Sequence, residues 1–513
     1  MTDKQAETTT QSNQNQLMLQ AFEWNTPADH QHWKRLTAAL DWFKEIGVTA
    51  IWIPPGCKGM APARNGYDIY DLYDIGEFDQ KGSVPTKWGS KEELQDLANK
   101  AEEMNIKILW DAVLNHKAGA DRTETCQAVR VDSDDRNCTH GNKPIEIESW
   151  LGFEFPGRRN VYSSMKYHWY HFNGIDHNLR TGIRGIYKII GDGRKNWASD
   201  VSKERGNFDY LMFANIDFSN EDVKDDVKNW IQWLSEQVPI GGLRLDAVKH
   251  YSRSFLIEFI LHIKNRVGLD WFFVAEYWKN DINELLTYLE QMKNLVSLFD
   301  VPLAHNISRL SRARKPDLRK VFHETLLKKR PEYAVTFVTN HDTQLGQSLE
   351  LPVEQWFKPL AYALILLRKE GYPCLFYGDL YGINAGFLNA AEGPLPNLGS
   401  LALGRSLYAY GSQRDYFFQK HCIGFVRYGD ADHPSGLACV MSSTRRSFKF
   451  MYVGRNHAGE KWTEIYGQYG GSVKINRLGY GSFGVMPKSV SIWVSSEAQG
   501  RDKFPVKNAH QFR

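Results

Sequence analysis

The sequence predicts an α/β protein: a (β/α)8 TIM-type barrel, with a β-rich domain inserted after the third strand and an antiparallel β-sandwich domain at the C-terminal end. Three observations predict it. Short β-branched or aromatic runs alternate with longer amphipathic stretches along most of the chain. One segment between the third and fourth strand candidates is too long for a barrel loop. After Arg405 the pattern changes to short strands separated by Gly and Asn turns. A length of 513 residues also exceeds one ordinary domain.

In chain order, strands are expected at Leu17–Phe22, Val48–Ile53, Ile106–Leu114, Gly242–Asp246, Phe272–Glu276, Leu298–Val301, Ala334–Val338 and Cys374–Tyr377. Helical periodicity lies between them, at Lys34–Ile46, Lys91–Met104, Val223–Gln237, Ser254–Val267 and Glu354–Lys369. Eight strands with crossover helices imply a closed parallel barrel, whose chemistry sits at the C-terminal strand ends. The catalytic barrel is therefore assigned to 17–116 and 214–405, and the inserted domain to 117–213. The sandwich is assigned to 406–496, with strands such as Leu437–Met441, Phe448–Arg455 and Val490–Val494. Residues 1–16, rich in Thr, Gln and Asn, and the polar stretch 497–513 are expected to be disordered or frayed tails.

Lys and Arg total 63 against 60 Asp and Glu, scattered along the chain, so no nucleic-acid or anionic-membrane footprint is expected. The substrate should be neutral. An aromatic content of 13%, with 16 Trp and 24 Tyr, suits a sugar-binding cleft, although most of these rings are expected to fill the core. No apolar run is long enough to span a bilayer. Met1–Gln16 lacks the basic-then-apolar pattern of a secretory signal, and the six cysteines show neither CxxC spacing nor a dense framework. A cytoplasmic monomer with reduced thiols is expected, with a Cys126–Cys138 pair left open.

Retaining cleavage of a glycosidic bond needs a nucleophilic carboxylate and a protonated carboxyl roughly 5 Å apart across the anomeric carbon. Three strand ends carry a carboxylate just past an apolar run: Gly-Leu-Arg244-Leu-Asp246, Phe-Phe-Val-Ala-Glu276 and Phe-Val-Thr-Asn-His341-Asp342. A single Asp there more often caps a helix than performs chemistry. Three of them, with Arg244 and Asp246 on one face of a strand, reverse that reading.

Four spaced motifs make the sequence resemble the α-amylase family of glycoside hydrolases. They are Asp111-Ala-Val-Leu-Asn115-His116, Gly242-Leu-Arg-Leu-Asp246-Ala-Val-Lys249-His250, Val274-Ala-Glu276-Tyr-Trp278 and Phe337-Val-Thr-Asn-His341-Asp342. Segments such as Gly66-Tyr67-Asp-Ile-Tyr70 and Trp169-Tyr-His-Phe172 make it resemble bacterial liquefying α-amylases and their fungal intracellular relatives most closely. The resemblance implies Asp246 as nucleophile, Glu276 as acid/base and Asp342 as the carboxylate that braces the sugar. It further implies sugar contacts from Tyr67, His116, Arg244, Lys249, His250, Trp278 and His341. Arg244 is expected to favour ionised Asp246, and the aromatic neighbours of Glu276 to keep it protonated near neutrality.

The resemblance also implies one calcium, Ca2+, held by Asn115, Asp209, Asn215 and the backbone carbonyl of His250. Asn215 stands where the bacterial relatives have Asp, which removes a charge and weakens the site. The relatives' additional metal cluster is expected to be absent, because Asn173, Ala198 and Ser219 replace its Asp residues around Asp217. The activity implied is endo-hydrolysis of internal α-1,4-glucosidic bonds in starch, glycogen or maltooligosaccharides. An α-glucan transglycosylase using the same covalent intermediate is the alternative, and a catalytically dead glucan-binding barrel is a third reading opposed by the intact carboxylates.

Overall fold

A computed structural model describes residues 15–141, 143–191, 195–268, 270–386 and 391–506. Eight short parallel strands close the barrel: β1 (Met18–Gln20), β2 (Ala50–Trp52), β3 (Lys107–Ala112), β4 (Gly242–Leu245), β5 (Phe272–Ala275), β6 (Ser297–Phe299), β7 (Ala334–Thr336) and β8 (Tyr372–Phe376). Hydrogen bonding runs β1-β8-β7-β6-β5-β4-β3-β2, and β1 also pairs with β2. Each expected strand is present, most of them shorter than expected, although β6 and β8 begin one and two residues earlier, at Ser297 and Tyr372. Nearly all of these residues are buried on both faces, as strands covered outside by helices must be.

The covering helices include α1 (His32–Glu45), α2 (Lys91–Glu103), α3 (Glu221–Gln237), α4 (Arg253–Arg266), α5 (Ile282–Gln291), α6 (Val301–Arg312), α7 (Lys358–Leu366) and α8 (Leu398–Tyr408). Their starts are written in the sequence. The Ser90 hydroxyl accepts from Glu93 N while the Glu93 carboxylate accepts from Ser90 N, a reciprocal cap on α2. Asn220 caps α3, whose Val223, Val227, Trp230, Ile231 and Leu234 form the buried stripe. Helix α7 starts later than the periodicity suggests, because residues 354–357 form a separate turn and Pro359, which donates no N–H, sits in the first helical turn.

Between β3 and β4 lies a six-stranded antiparallel sheet. Its strand order is His116–Lys117, Ala214–Ile216, Phe172–Asn178, Ile183–Ile189, Arg122–Val131, Ile145–Gly152. Its entry and exit strands pair with each other, Asn215 opposite His116, so the sheet is rooted beside the barrel mouth. Beyond α8, a second six-stranded sheet and a two-stranded antiparallel sheet, Ser447–Tyr452 with Tyr480–Val485, enclose their own apolar cluster around Trp462, Phe483 and Trp493.

The C-terminal stretch corrects the sequence expectation. Residues 497–506 are packed, with Phe504 and Val506 buried and Val506 N donating to Ser400 Oγ at 2.9 Å. Tyr408 OH of α8 also donates to the Gln499 carbonyl at 2.9 Å, and Arg501 reaches Thr463 Oγ1 and the Glu464 carbonyl. At the other end, Asn15 Nδ2 donates to the carbonyls of Arg405 and Ala409, so Asn15 and Gln16 are part of the fold, whereas 1–14 and 507–513 lie outside the described residues. All six cysteines are free, Cys126 buried and Cys138 exposed. Among the described residues no helix is long and apolar enough to cross a membrane.

Candidate active site

The strand register assembles the site. On β4, Arg244 lies opposite Asp111 of β3 and Val274 of β5, so its guanidinium sits between the ends of three neighbouring strands. Arg244 Nη1 donates to Asp111 Oδ1 and Asp246 Oδ1, each at 2.7 Å, and Nη2 donates to Glu276 Oε2 at 2.7 Å. Arg244 and Asp111 have no exposed side-chain surface, while Asp246 and Glu276 keep about a tenth or less of theirs. Those two are reachable from the cleft. Ala247, directly after Asp246, is left-handed (φ 47°, ψ 41°), a conformation that costs a non-glycine residue about 1–2 kcal/mol. That turn brings Ala247 N to 3.3 Å from Glu276 Oε2 and starts the short helical turn carrying Lys249 and His250.

Asp342 follows β7, where Asn340 Oδ1 accepts from the backbone N–H groups of both Asp342 and Thr343. Its partner is His341. Gln20 Nε2 lies 2.8 Å from His341 Nδ1, and because an amide nitrogen donates, the His341 proton resides on Nε2. That Nε2–H stands 3.3 Å from Asp342 Oδ2 without a well-aligned bond, free to donate to a ligand. The His341 ring stacks on Tyr67 at 5.1 Å, and Tyr67 stacks on Trp24 at 5.7 Å. Tyr67 OH donates to Asp111 Oδ2 at 2.8 Å, and Trp52 Nε1 donates to the same oxygen at 2.9 Å. Gly66 (φ 89°) makes this placement possible, since a Cβ there would lie 2.7 Å from the Pro55 carbonyl oxygen.

Other expected contacts take more specific roles. His116 Nε2–H is spent on the Tyr67 carbonyl at 2.7 Å, so His116 fixes Tyr67. Lys249 Nζ bonds Glu204 Oε2 at 2.7 Å and the Trp278 carbonyl at 3.0 Å, and Lys279 Nζ bonds the other Glu204 oxygen at 2.7 Å. His250 Nδ1 donates to the Phe208 carbonyl at 2.8 Å, which ties it to the inserted segment, and the half-buried Trp278 ring faces Phe337. The sequence reading did not single out Asp111, Trp24, Gln20 or Glu204. Only Asp111 carried a signal, as the first residue of a quoted motif.

One cation thus faces Asp111, Asp246 and Glu276, with Asp342 close enough to feel them. Arg244 favours ionised Asp246, as expected, but burial and the neighbouring carboxylates outweigh it. Burial pushes the Asp246 carboxyl up to about 7; Arg244 pulls it down, while the charges of Glu276 and Asp111 push it further up. Asp342 is raised well above the ordinary range by burial and then by Glu276. Burial lowers His116 to about 4 and holds His341 well below the usual histidine range, so both rings are neutral. Asp111, Asp246 and Asp342, all raised, release their protons as a coupled set that retains protons into the neutral range. Buried, proton-sharing carboxyls at barrel strand ends suit acid/base and nucleophilic chemistry.

Beside this cluster, Asn115, Asp209 and Asn215 meet at the root of the inserted sheet. Asn115 Nδ2 donates to Asn215 Oδ1 at 3.1 Å, and Asn215 Nδ2 donates to Asn173 Oδ1 at 2.8 Å and Asp209 Oδ1 at 3.3 Å. Asn115 Oδ1 is buried without a partner, and burial pushes Asp209 up to about 7. An orphaned carboxamide oxygen beside a carboxylate that lacks a cation fits one hard, oxygen-seeking ion. Among the described residues no three His, Cys, Asp or Glu gather to hold a metal, so the donors of such a site are largely amides. Around Asp217 the fit is absent. Lys195 Nζ occupies its Oδ2 at 2.7 Å and the Phe172 carbonyl at 3.0 Å, while Ser219 donates to its Oδ1 through both N and Oγ.

Comparison with known proteins matches this architecture. The family described as "Alpha amylase, catalytic domain" matches residues 16–392. The chain is 45% identical over 485 residues to the α-amylase of Bacillus licheniformis, covering 94% of each chain. It is 40% identical over 493 residues to the cytoplasmic α-amylase of Escherichia coli (strain K12), covering 94% of this chain and 99% of that one. The crystal structure of an Anoxybacillus α-amylase superposes with a TM-score of 0.61 at 16% identity, over 94% of this chain and 97% of that one, a likeness of fold.

Proposed function

The chain belongs to the α-amylase family of glycoside hydrolases and is an enzyme of that type, and on that premise we propose that Asp246, Glu276 and Asp342 carry out retaining endo-hydrolysis of α-1,4-glucosidic bonds. The observation that carries this reading is the sharing of Arg244 by carboxylates from three adjacent strands, β3, β4 and β5. In the first step Asp246 attacks the anomeric carbon while Glu276 passes its proton to the glycosidic oxygen. The bond to the leaving chain breaks and a glycosyl ester forms on Asp246. In the second step Glu276 takes a proton from water, whose oxygen displaces Asp246. Positive charge developing on the sugar favours the ionised form of Asp246, offsetting the burial that raises it.

The surrounding groups hold the sugar. His341 Nε2–H and the Asp342 carboxylate face one way into the cleft, and the Tyr67 ring gives a flat face whose tilt is set by His116 and Asp111. Lys249, fixed by Glu204, and His250 and Trp278 line the leaving-chain side. We read 17–116 with 214–405 as the catalytic unit, 117–213 as the inserted domain and 406–496 as the sandwich.

Asn115, Asp209, Asn215 and the His250 carbonyl would hold one calcium ion, which would contribute a structural link between the segment after β3 and the inserted sheet. The Lys195 ammonium on Asp217 supports a single metal rather than a cluster. A cytoplasmic monomer is the setting we favour, supported by six free thiols and the likeness to the E. coli cytoplasmic enzyme.

The test is the product profile on soluble starch and on defined maltooligosaccharides, with and without chelator, read by NMR at early times. Shorter products released in the α-anomeric form are expected. A β-anomeric first product would overturn retention, and products longer than the donor would overturn hydrolysis as the main reaction.

A further inference from the structure

At the opposite end of the barrel from the carboxylates, three loops bring positive charge together. Helix α6 starts at the C-terminal end of β6 and runs back along the barrel, so Lys315, just beyond its last turn, lies at the other face. There it meets the 417–421 loop, which carries Lys420 and His421, and the turn carrying Arg445 and Arg446. Backbone bonds hold the three loops together: Leu318 N donates to the Lys420 carbonyl at 2.8 Å and Ser443 N to the His421 carbonyl at 3.0 Å. The His421 ring donates from Nδ1 to the Pro316 carbonyl at 2.9 Å. The result is a pocket of about 800 Å³ lined by Lys315, Lys420, His421, Arg445, Arg446 and Phe448 among others, with no acidic residue in its wall.

The charges there are not neutralised by the fold. Lys315, Lys420, Arg445 and Arg446 are exposed, and none of them forms an ion pair among the described residues. A fifth cation, Lys449, is 7% exposed, and its ammonium meets only the Oε1 of Gln419, a wall residue, at 3.4 Å. Arg446 is already oriented, since its Nη2 donates to Tyr469 OH at 2.9 Å. Like charges held close repel one another, and the fold supplies no counter-charge. Arg and Lys donors reaching the pocket from three loops match a multiply charged oxyanion, for which charge-assisted bonds are short and strong. Phe448, 70% exposed, adds an apolar wall, and beyond it along the same strand Phe450 stacks on Tyr480 at 5.0 Å.

We propose that this pocket is a binding site for a phosphate monoester of a sugar, the phosphate lying among Lys315, Lys420, Arg445 and Arg446 and the sugar face against Phe448. The choice of a sugar as the esterified group rests on the glucan reading above, whereas the phosphate half stands on the charges alone. Because the pocket is on the far side of the barrel, its occupant takes no part in bond cleavage.

The experiment is calorimetric titration of the intact protein with glucose 6-phosphate, glucose, inorganic phosphate and adenosine monophosphate at fixed ionic strength. Glucose 6-phosphate is expected to bind at least about tenfold more tightly than glucose or inorganic phosphate, and to weaken as salt is added. Arg445→Ala with Arg446→Ala should abolish that binding, and Lys420→Ala, on a different loop, should weaken it. Starch hydrolysis should be unchanged in both variants, which separates this test from that of the catalytic reading. No binding of glucose 6-phosphate, or binding indifferent to these substitutions, overturns the proposal. Adenosine monophosphate or inorganic phosphate binding equally well or better overturns the sugar assignment.

Discussion

Replacing Asp246 by Asn should make the enzyme inactive and, at neutral pH, more stable. Burial and the charges of Glu276 and Asp111 outweigh Arg244 and raise the Asp246 carboxyl from the ordinary aspartate value of 3.8 to about 7. A carboxyl raised on folding binds its proton more tightly in the native state, so its contribution is fully present at acid pH. It is lost as pH climbs from about 4 through about 7. At 1.36 kcal/mol per tenfold in proton affinity, the loss is about 4 kcal/mol by pH 8. Because Asp246 titrates as one of a coupled set, only part of that loss belongs to it alone, and a net gain of about 2 kcal/mol is the expectation for Asp246→Asn at pH 8. Asn copies the protonated carboxyl in shape and charge, so the gain should shrink toward zero near pH 4. Urea or thermal midpoints of both proteins at several pH values measure it. A variant no more stable than wild type at pH 8, or a gap that widens toward acid pH, would refute the reasoning.

Three further outcomes follow from the residues beside that cluster. Asn215→Asp restores a carboxylate beside Asn115 Oδ1 and Asp209, and calcium titration should show binding tightened by about tenfold or more; unchanged affinity would remove Asn215 from the site. Lys195→Met strips the buried Asp217 of its ammonium partner, which should cost about 2 kcal/mol in the unfolding midpoint, less than for a fully enclosed pair because Lys195 keeps some exposure. Metal analysis of wild type should find no more than one calcium per chain, and additional tightly held ions would contradict the role given to Lys195.

How much of this was legible in the sequence varied with the range of the interaction. Strands such as Gly242–Leu245 and helices such as α3 follow from local periodicity, and the positions of Asp246, Glu276 and Asp342 follow from strand ends. The sharing of Arg244 did not, because it depends on the register that puts Arg244 opposite Asp111, 133 residues away. Nor did the hold of Glu204 on Lys249, which links the inserted segment to β4. The C-terminal stretch differs from expectation because its composition is polar, and its anchors are a few apolar side chains, such as Phe504 and Val506, and long-range bonds from Arg501. The basic pocket was invisible for a related reason: Lys315, Lys420 and Arg445 are scattered in the sequence and gathered only by the fold.

The most direct test of the central claim is Glu276→Gln, which keeps the side chain's shape and its contact with Arg244 but cannot donate and retrieve a proton. With folding verified by an unchanged circular dichroism spectrum, starch turnover is predicted to fall by about 10²–10⁴-fold, the range of acid/base catalysis. Turnover within a few-fold of wild type would contradict the assignment of Glu276 and, with it, the mechanism built on the shared carboxylates.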